Sequence, residues 1–315
     1  MGDTAVIFPG QGAQSVGMGR DVAAASATAR AVYDRANQVL GFDLAKLCFE
    51  GPAEKLEQTD IQQPAIFVTS VAIFEAFKEG GGSLSDFQRA GGLSLGEYTA
   101  LHVTGAAAFD DCLKLVQRRG QLMQEAARAR PSGMVSLVGA DKDKAKAICE
   151  KARSNDVLTP ANFNCPGQIV IAGDKAACER AVGVAEESGC RAVPLAVAGA
   201  FHSAIMSSAA EGLRAHLDRT PFAKPKLPVI SNVDATYHSD PAAIRASLVR
   251  QLTQPVMWQQ CIERMAADGA DRFVEFGPGR VLTGLMRKIN RSLAAVNIST
   301  AESAAAGLNP AVVAN

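Results

Sequence analysis

Ala5-Val6-Ile7-Phe8-Pro9-Gly10 is a run of four apolar residues closed by a Pro-Gly pair. It reads as a buried strand stopped by two residues that cannot continue it. Helical patterns and further strand-like runs follow. Residues 59–79 carry Phe67, Val71, Phe74 and Phe77 at helical spacing, and residues 110–129 form a second helix that stops before Pro131. Residues 228–231 and 272–276 read as strands, the latter closed by Gly277-Pro278-Gly279. Such alternation predicts an α/β fold with a mainly parallel sheet.

The middle of the chain has another rhythm. Strands over 134–138, 157–163, 168–172 and 191–197 alternate with helices over 142–153 and 175–188, in the order βαββαβ. That order is the ferredoxin-like pattern. The expected architecture is a large α/β-hydrolase-like domain, residues 1–129 and 199–315, with a ferredoxin-like subdomain inserted at 130–198. From about residue 301 the chain is Ala-rich without periodicity and is expected to form a loose tail.

The chain has 315 residues, with 32 basic and 32 acidic side chains. Zero net charge gives no support for a nucleic-acid binder, which should carry a basic excess. No run approaches the roughly 18 uninterrupted apolar residues of a membrane span, and the N-terminus lacks the basic and apolar regions of a signal peptide. Seven scattered cysteines never form Cys-x-x-Cys, so reduced thiols, no zinc site and a cytoplasmic location are expected.

Gly92-Leu93-Ser94-Leu95-Gly96 fits G-x-S-x-G, the pattern that places a serine on a tight strand-to-helix turn. The segment before it, residues 86–91, is a poor strand by propensity, and the motif taken alone is equally a Gly-Ser loop. A serine nucleophile needs a base. Of four histidines, His216 looks like a solvated helix residue and His238 lies in a polar turn. His102 sits two turns down the serine's own helix, out of reach. His202 follows a strand through Gly199-Ala200-Phe201 and precedes a helix near Ser203, where a neutral imidazole is favoured. Packing or helix capping is its alternative role.

The helix over 110–129 directs Cys112, Leu115, Val116, Leu122, Met123 and Ala126 to one face, and Arg119 falls among them. An inward guanidinium must meet an anion. Either a distant protein carboxylate or an anionic substrate group could supply it. The loop after the first strand, Pro9-Gly10-Gln11-Gly12, lacks both dinucleotide spacing and a P-loop lysine; it is a tight turn or an oxyanion site.

Together these residues resemble the malonyl-CoA:acyl carrier protein transacylases, from about residue 4 to residue 300. The resemblance rests on Phe8-Pro9-Gly10-Gln11-Gly12-Ala13-Gln14, Gly92-Leu93-Ser94-Leu95-Gly96-Glu97-Tyr98, Gln117-Arg118-Arg119-Gly120 and Asn162-Phe163-Asn164-Cys165-Pro166-Gly167-Gln168. It continues through Gly199-Ala200-Phe201-His202-Ser203, Gln251-Leu252-Thr253-Gln254-Pro255-Val256 and Glu275-Phe276-Gly277-Pro278-Gly279.

The resemblance implies that Ser94 is acylated by malonyl-CoA and that His202 is its general base. His202 would be oriented by the backbone carbonyl of Gln251. Arg119 would pair with the malonyl carboxylate, the N–H groups of Gln11 and Leu95 would form the oxyanion hole, and Asn162 and Phe201 would line the site. One departure stands out: the family usually has His where this chain has Leu93. No metal or redox cofactor is implied, since the CoA thioester is a substrate. The acceptor would be acyl carrier protein, acidic as a class, and Arg280, Arg287, Lys288 and Arg291 form the densest basic patch for it, unless they are merely a solvated helix face. A monomer is expected. The same Ser-His chemistry would serve an esterase or thioesterase, and a non-catalytic carrier-binding protein is the alternative from another class.

Overall fold

A computed structural model describes residues 2–308. Its eight strands are β1 (Asp3–Phe8), β2 (Arg89–Gly92), β3 (Ser132–Val138), β4 (Leu158–Cys165), β5 (Gln168–Asp174), β6 (Arg191–Pro194), β7 (Ala270–Phe276) and β8 (Ala294–Ile298). They form two sheets. One is parallel with order β2-β1-β7-β8, and the other is antiparallel with order β4-β5-β3-β6. The chain is thus an α/β protein with a parallel sheet and a separate small antiparallel one.

The strand β1 is buried throughout its second half, as an apolar run between two neighbours must be. Beside it, β2 is Arg-Ala-Gly-Gly, a sequence with little strand propensity of its own. It forms because β1 offers parallel partners from Ala5↔Arg89 to Phe8↔Gly92. On its other side, Ala90 N–H donates to the Pro228 carbonyl and Ile230 N–H to the Ala90 carbonyl. Residues 228–231, expected as a strand, make only isolated bridges at Val229 and Ile230. Pro228 and the turn that returns through Tyr237 leave no length for a ladder.

Two helices of 21 residues each, Thr59–Glu79 and Phe109–Ala129, pack against each other, and the first also packs on β7 of the parallel sheet. Phe74, Phe77 and Phe87 gather edge-on around Phe276, at centroid distances of 5.0–5.9 Å. This aromatic knot fixes β7 over the first long helix.

The antiparallel sheet has the strand order of the ferredoxin-like pattern, with helices Lys142–Arg153 and Lys175–Glu187 completing βαββαβ. Its core of Val135, Leu137, Ile148, Phe163 and Ile171 is separate from that of the parallel sheet. Edge strand β4 reaches the larger part: Val256 N–H donates to the Ala161 carbonyl and Phe163 N–H to the Val256 carbonyl, both at 2.9 Å. The strand expected to run to Val197 ends at Pro194: Leu195 N–H still donates to the Met134 carbonyl, but Val197 N–H turns back to the Leu195 carbonyl, and both side chains line the cleft.

The expected loose tail is ordered at its start. Ala301–Ala306 is a helix capped by Thr300, with Ala304 buried against the helix Thr59–Glu79. Alanine allows this close approach, and no long apolar side chain is needed to mark it. The rest of that tail, residues 309–315, lies outside the described residues. Among the described residues no helix is long and apolar enough to cross a membrane.

Candidate active site

Ser94 occupies the turn between β2 and the helix Leu95–Val103, with φ 52° and ψ −98°. This is a costly conformation for a residue with a side chain. It holds because the glycines on either side leave room for nothing else. A Cβ on Gly92 would lie 2.0 Å from the Gly96 carbonyl carbon, and one on Gly96 would lie 2.1 Å from the Phe8 carbonyl oxygen. The turn projects Oγ into a cavity of about 180 Å³ between the two sheets, lined also by Gln11, Met123, Asn162, Phe201 and His202. A glycine two positions to each side of the serine is therefore a steric requirement.

His202 arrives from the segment that returns from the small sheet, also with positive φ, at 59°. Ser203 stabilises the turn by donating its hydroxyl to the Ala200 carbonyl at 2.6 Å. The imidazole Nε2 lies 2.9 Å from Ser94 Oγ and Nδ1 lies 2.6 Å from the Gln251 carbonyl oxygen. Since a carbonyl only accepts, the proton sits on Nδ1 and Nε2 is free to take one from the serine. Burial, and then the neighbouring Arg119 charge, push the imidazole down to a pKa of about 4. The ring is neutral at neutral pH.

Arg119 lies on the buried face of its helix at 1% exposure. No protein carboxylate pairs with it among the described residues. Its Nη1 donates to Gln63 Oε1 at 2.6 Å, and its Nη2 to Gln251 Oε1 and to Ser94 Oγ, both at 2.9 Å. Its Nε has no partner, and the Tyr98 ring lies 5.2 Å from the guanidinium carbon. Burial lowers its pKa. A desolvated cation satisfied only by neutral acceptors is expensive and is kept where it has an anion to meet.

The Gln11 and Leu95 N–H groups have no internal acceptor among the described residues. Leu95 is the first residue of its helix, where N–H groups point outward without partners. Gln11 follows β1 on the same side of the cleft. Asn162 sits on β4 beside a register shift that turns it toward the cavity. Leu93, half-buried, lines the cavity and accepts the Gly96 N–H through its carbonyl.

Sequence reasoning missed a layer behind these residues. His238, expected in a polar turn, is buried, and its Nε2 donates to Glu97 Oε1 at 2.9 Å. Glu97 Oε2 takes Asn232 N–H at 3.0 Å and Gln251 Nε2 at 2.8 Å. Asn232 holds the nucleophile turn from both sides. Its Oδ1 accepts Ser94 N–H at 2.6 Å and its Nδ2 donates to the Gly92 carbonyl at 2.8 Å. Glu97 and His238 are 141 positions apart, so no local pattern could pair them. Gln63 was detectable, as a polar residue beside Gln62 in an otherwise apolar helix. His102 Nδ1 donates to the Ala107 carbonyl at 3.0 Å, and the ring packs between Phe67 and Phe109, away from the site. His216 is half-buried on the helix Ser207–Arg219.

Comparison with known proteins identifies the family. The acyl transferase domain family matches residues 5–313. The chain is 41% identical to the malonyl CoA-acyl carrier protein transacylase of Escherichia coli (strain K12) over 96% of its own length and 98% of the relative's. Against the corresponding protein of Bacillus subtilis (strain 168), the identity is 41% with 96% and 95% covered. The crystal structure of an acyl carrier protein S-malonyltransferase from Vibrio cholerae superposes with a TM-score of 0.92 at 42% identity, covering 96% of this chain and 98% of that one. A malonyl-transacylase solved in complex with a type II PKS acyl-carrier protein superposes with a TM-score of 0.94 at 40% identity, covering 97% and 99%. The chain, over nearly all of its length, belongs to the acyl transferase domain family.

Proposed function

We propose that this enzyme transfers the malonyl group of malonyl-CoA to the phosphopantetheine thiol of acyl carrier protein through a malonyl-Ser94 ester. It thereby supplies extender units for fatty acid synthesis. One observation carries the proposal: Ser94 Oγ is shared between a neutral His202 and a buried, carboxylate-free Arg119. A base and an anion receptor on one hydroxyl suit an acyl group that carries its own carboxylate.

The malonyl carboxylate takes the Arg119 guanidinium in bidentate fashion, displacing the Ser94 hydroxyl from Nη2. His202 Nε2 accepts the Oγ proton as the Oγ–carbonyl bond forms. The resulting oxyanion receives the N–H groups of Gln11 and Leu95, a type of contact typically worth about 100- to 1,000-fold in rate. The C–S bond then breaks and His202 returns its proton to the CoA sulfur. In the second half the carrier's thiol gives its proton to His202, attacks the ester, and Ser94 leaves with that proton. The steps use no metal or redox cofactor. Asn162 and Phe201 border the acyl and thioester arm.

Arg280, Arg287, Lys288 and Arg291 are exposed on and beside the helix Val281–Ile289, whose Val281 and Leu285 line the cavity mouth. None pairs with a carboxylate among the described residues, and Lys288 touches only Gln168 at 3.4 Å. An acidic carrier docking there would deliver its arm to Ser94. The seven cysteines are all buried and unpaired, which supports a cytoplasmic location.

Intact-mass measurement after brief exposure to malonyl-CoA tests the reading. A malonyl adduct is expected on the native protein and none on Ser94→Ala. Free malonate released without transfer to the carrier thiol would make it a hydrolase, and no adduct on the native protein would overturn the assignment.

A further inference from the structure

We infer that Glu97 is the counter-charge of Arg119, set one amide away through Gln251, and that it thereby determines how strongly the site prefers an anionic acyl group. The inference rests on the reading that Arg119 holds the substrate carboxylate.

The geometry is a chain of three side chains, all fully or almost fully buried. Arg119 Nη2 donates to Gln251 Oε1 at 2.9 Å, and Gln251 Nε2 donates to Glu97 Oε2 at 2.8 Å. The Gln251 amide is thus polarised between a cation and an anion, with its oxygen toward the guanidinium and its NH2 toward the carboxylate. Glu97 is also the one carboxylate whose field raises the Arg119 pKa against burial.

His238 N–H donates to the Val229 carbonyl, and its ring donates Nε2–H to Glu97 Oε1, while no acceptor faces Nδ1 among the described residues.

A direct Arg–Glu pair would satisfy the guanidinium and close it to substrate. A bare buried guanidinium would be prohibitively costly. Inserting one amide compensates the charge while leaving the guanidinium's substrate-facing edge on neutral partners. The same Gln251 gives its backbone carbonyl to His202. Glu97 therefore positions both the base and the anion receptor, without touching substrate.

Glu97→Gln separates charge from geometry. A glutamine can place its Oε1 where two donors converge and its NH2 toward His238, whose ring then accepts in the other tautomer. Losing the counter-charge leaves Arg119 with more demand for an anion. At a separation of one amide and an effective dielectric of about 20, the change is on the order of tenfold in binding.

The experiment measures kcat/KM for Ser94 acylation by malonyl-CoA and by acetyl-CoA, in the native protein and in Glu97→Gln. The malonyl-to-acetyl ratio is expected to rise about tenfold, whatever happens to the absolute rates. An unchanged or lowered ratio overturns the inference, since a merely structural role slows both acyl groups alike. If Glu97→Gln does not fold, the double variant Glu97→Gln/Arg119→Met decides. Recovered folding supports the counter-charge, and continued failure overturns it. If the native protein shows no Arg119-dependent preference for malonyl-CoA, the proposed function itself fails, a result distinct from both.

Discussion

The two sheets of this protein meet at one cavity but obey different rules. The small antiparallel unit is the more legible: its order βαββαβ is plain in the sequence and its core cluster is apolar, although β4 shifts register against β5 and Ser154 sits at positive φ. The edge of the parallel sheet breaks those rules. Ser94 and His202 both sit at positive φ, glycines are wedged against backbone, and Arg119, Glu97, Gln251 and Asn232 are charged or polar yet buried. Buried polar and charged side chains thus gather where the chemistry is, while the small unit supplies a wall of the cavity through Met134, Asn162 and Val170.

The largest expected contrast between the two regions is chemical. Arg119→Ala should reduce malonyl transfer about 100-fold or more while sparing transfer of acetyl from acetyl-CoA, because only the former loses a charge-assisted pair. Competition assays with both thioesters read this directly. An acyl preference like that of the native protein would remove the edge's claim to selectivity.

One methyl group placed in each region gives the next contrast. Gly96→Ala drives a Cβ against the Phe8 carbonyl and should destabilise the fold by about 3 kcal/mol. Gly183→Ala, on an exposed face of the helix Lys175–Glu187 with open space around it, should stabilise by about 0.5–1 kcal/mol. Urea titration of the pair checks both signs.

The smallest effect is in pH. His202 is held at about 4 in the native state against about 6.5 unfolded. Its base form therefore persists below pH 6, and kcat/KM for acylation should show no loss near pH 6.5 that belongs to this group. The linkage sign is the opposite of a stabilising pair. Between about 6.5 and 4 the unfolded chain takes up a proton that the native chain refuses, so stability falls as pH drops through that window and is unaffected above it. His202→Gln should remove this part of the acid sensitivity, measured as the difference in urea midpoint between pH 7 and pH 5.

By itself the sequence determined the α/β class, the antiparallel βαββαβ unit, the serine on its glycine-flanked turn and the inward face that carries Arg119. These depend on local periodicity, on turn residues and on the spacing of two glycines around one serine, all readable within about 20 residues. Tertiary structure alone decided the rest. Strand β2 exists because β1 and the segment at Pro228 lie on either side of it, although its own residues disfavour a strand. His238 is buried because its ring meets Glu97, which lies on the nucleophile helix 141 positions earlier. Arg119 meets an amide chain instead of a carboxylate, a choice set by Gln251, 132 positions away. Local preference is written in neighbouring residues, whereas the satisfaction of a buried charge is settled only when distant segments pack.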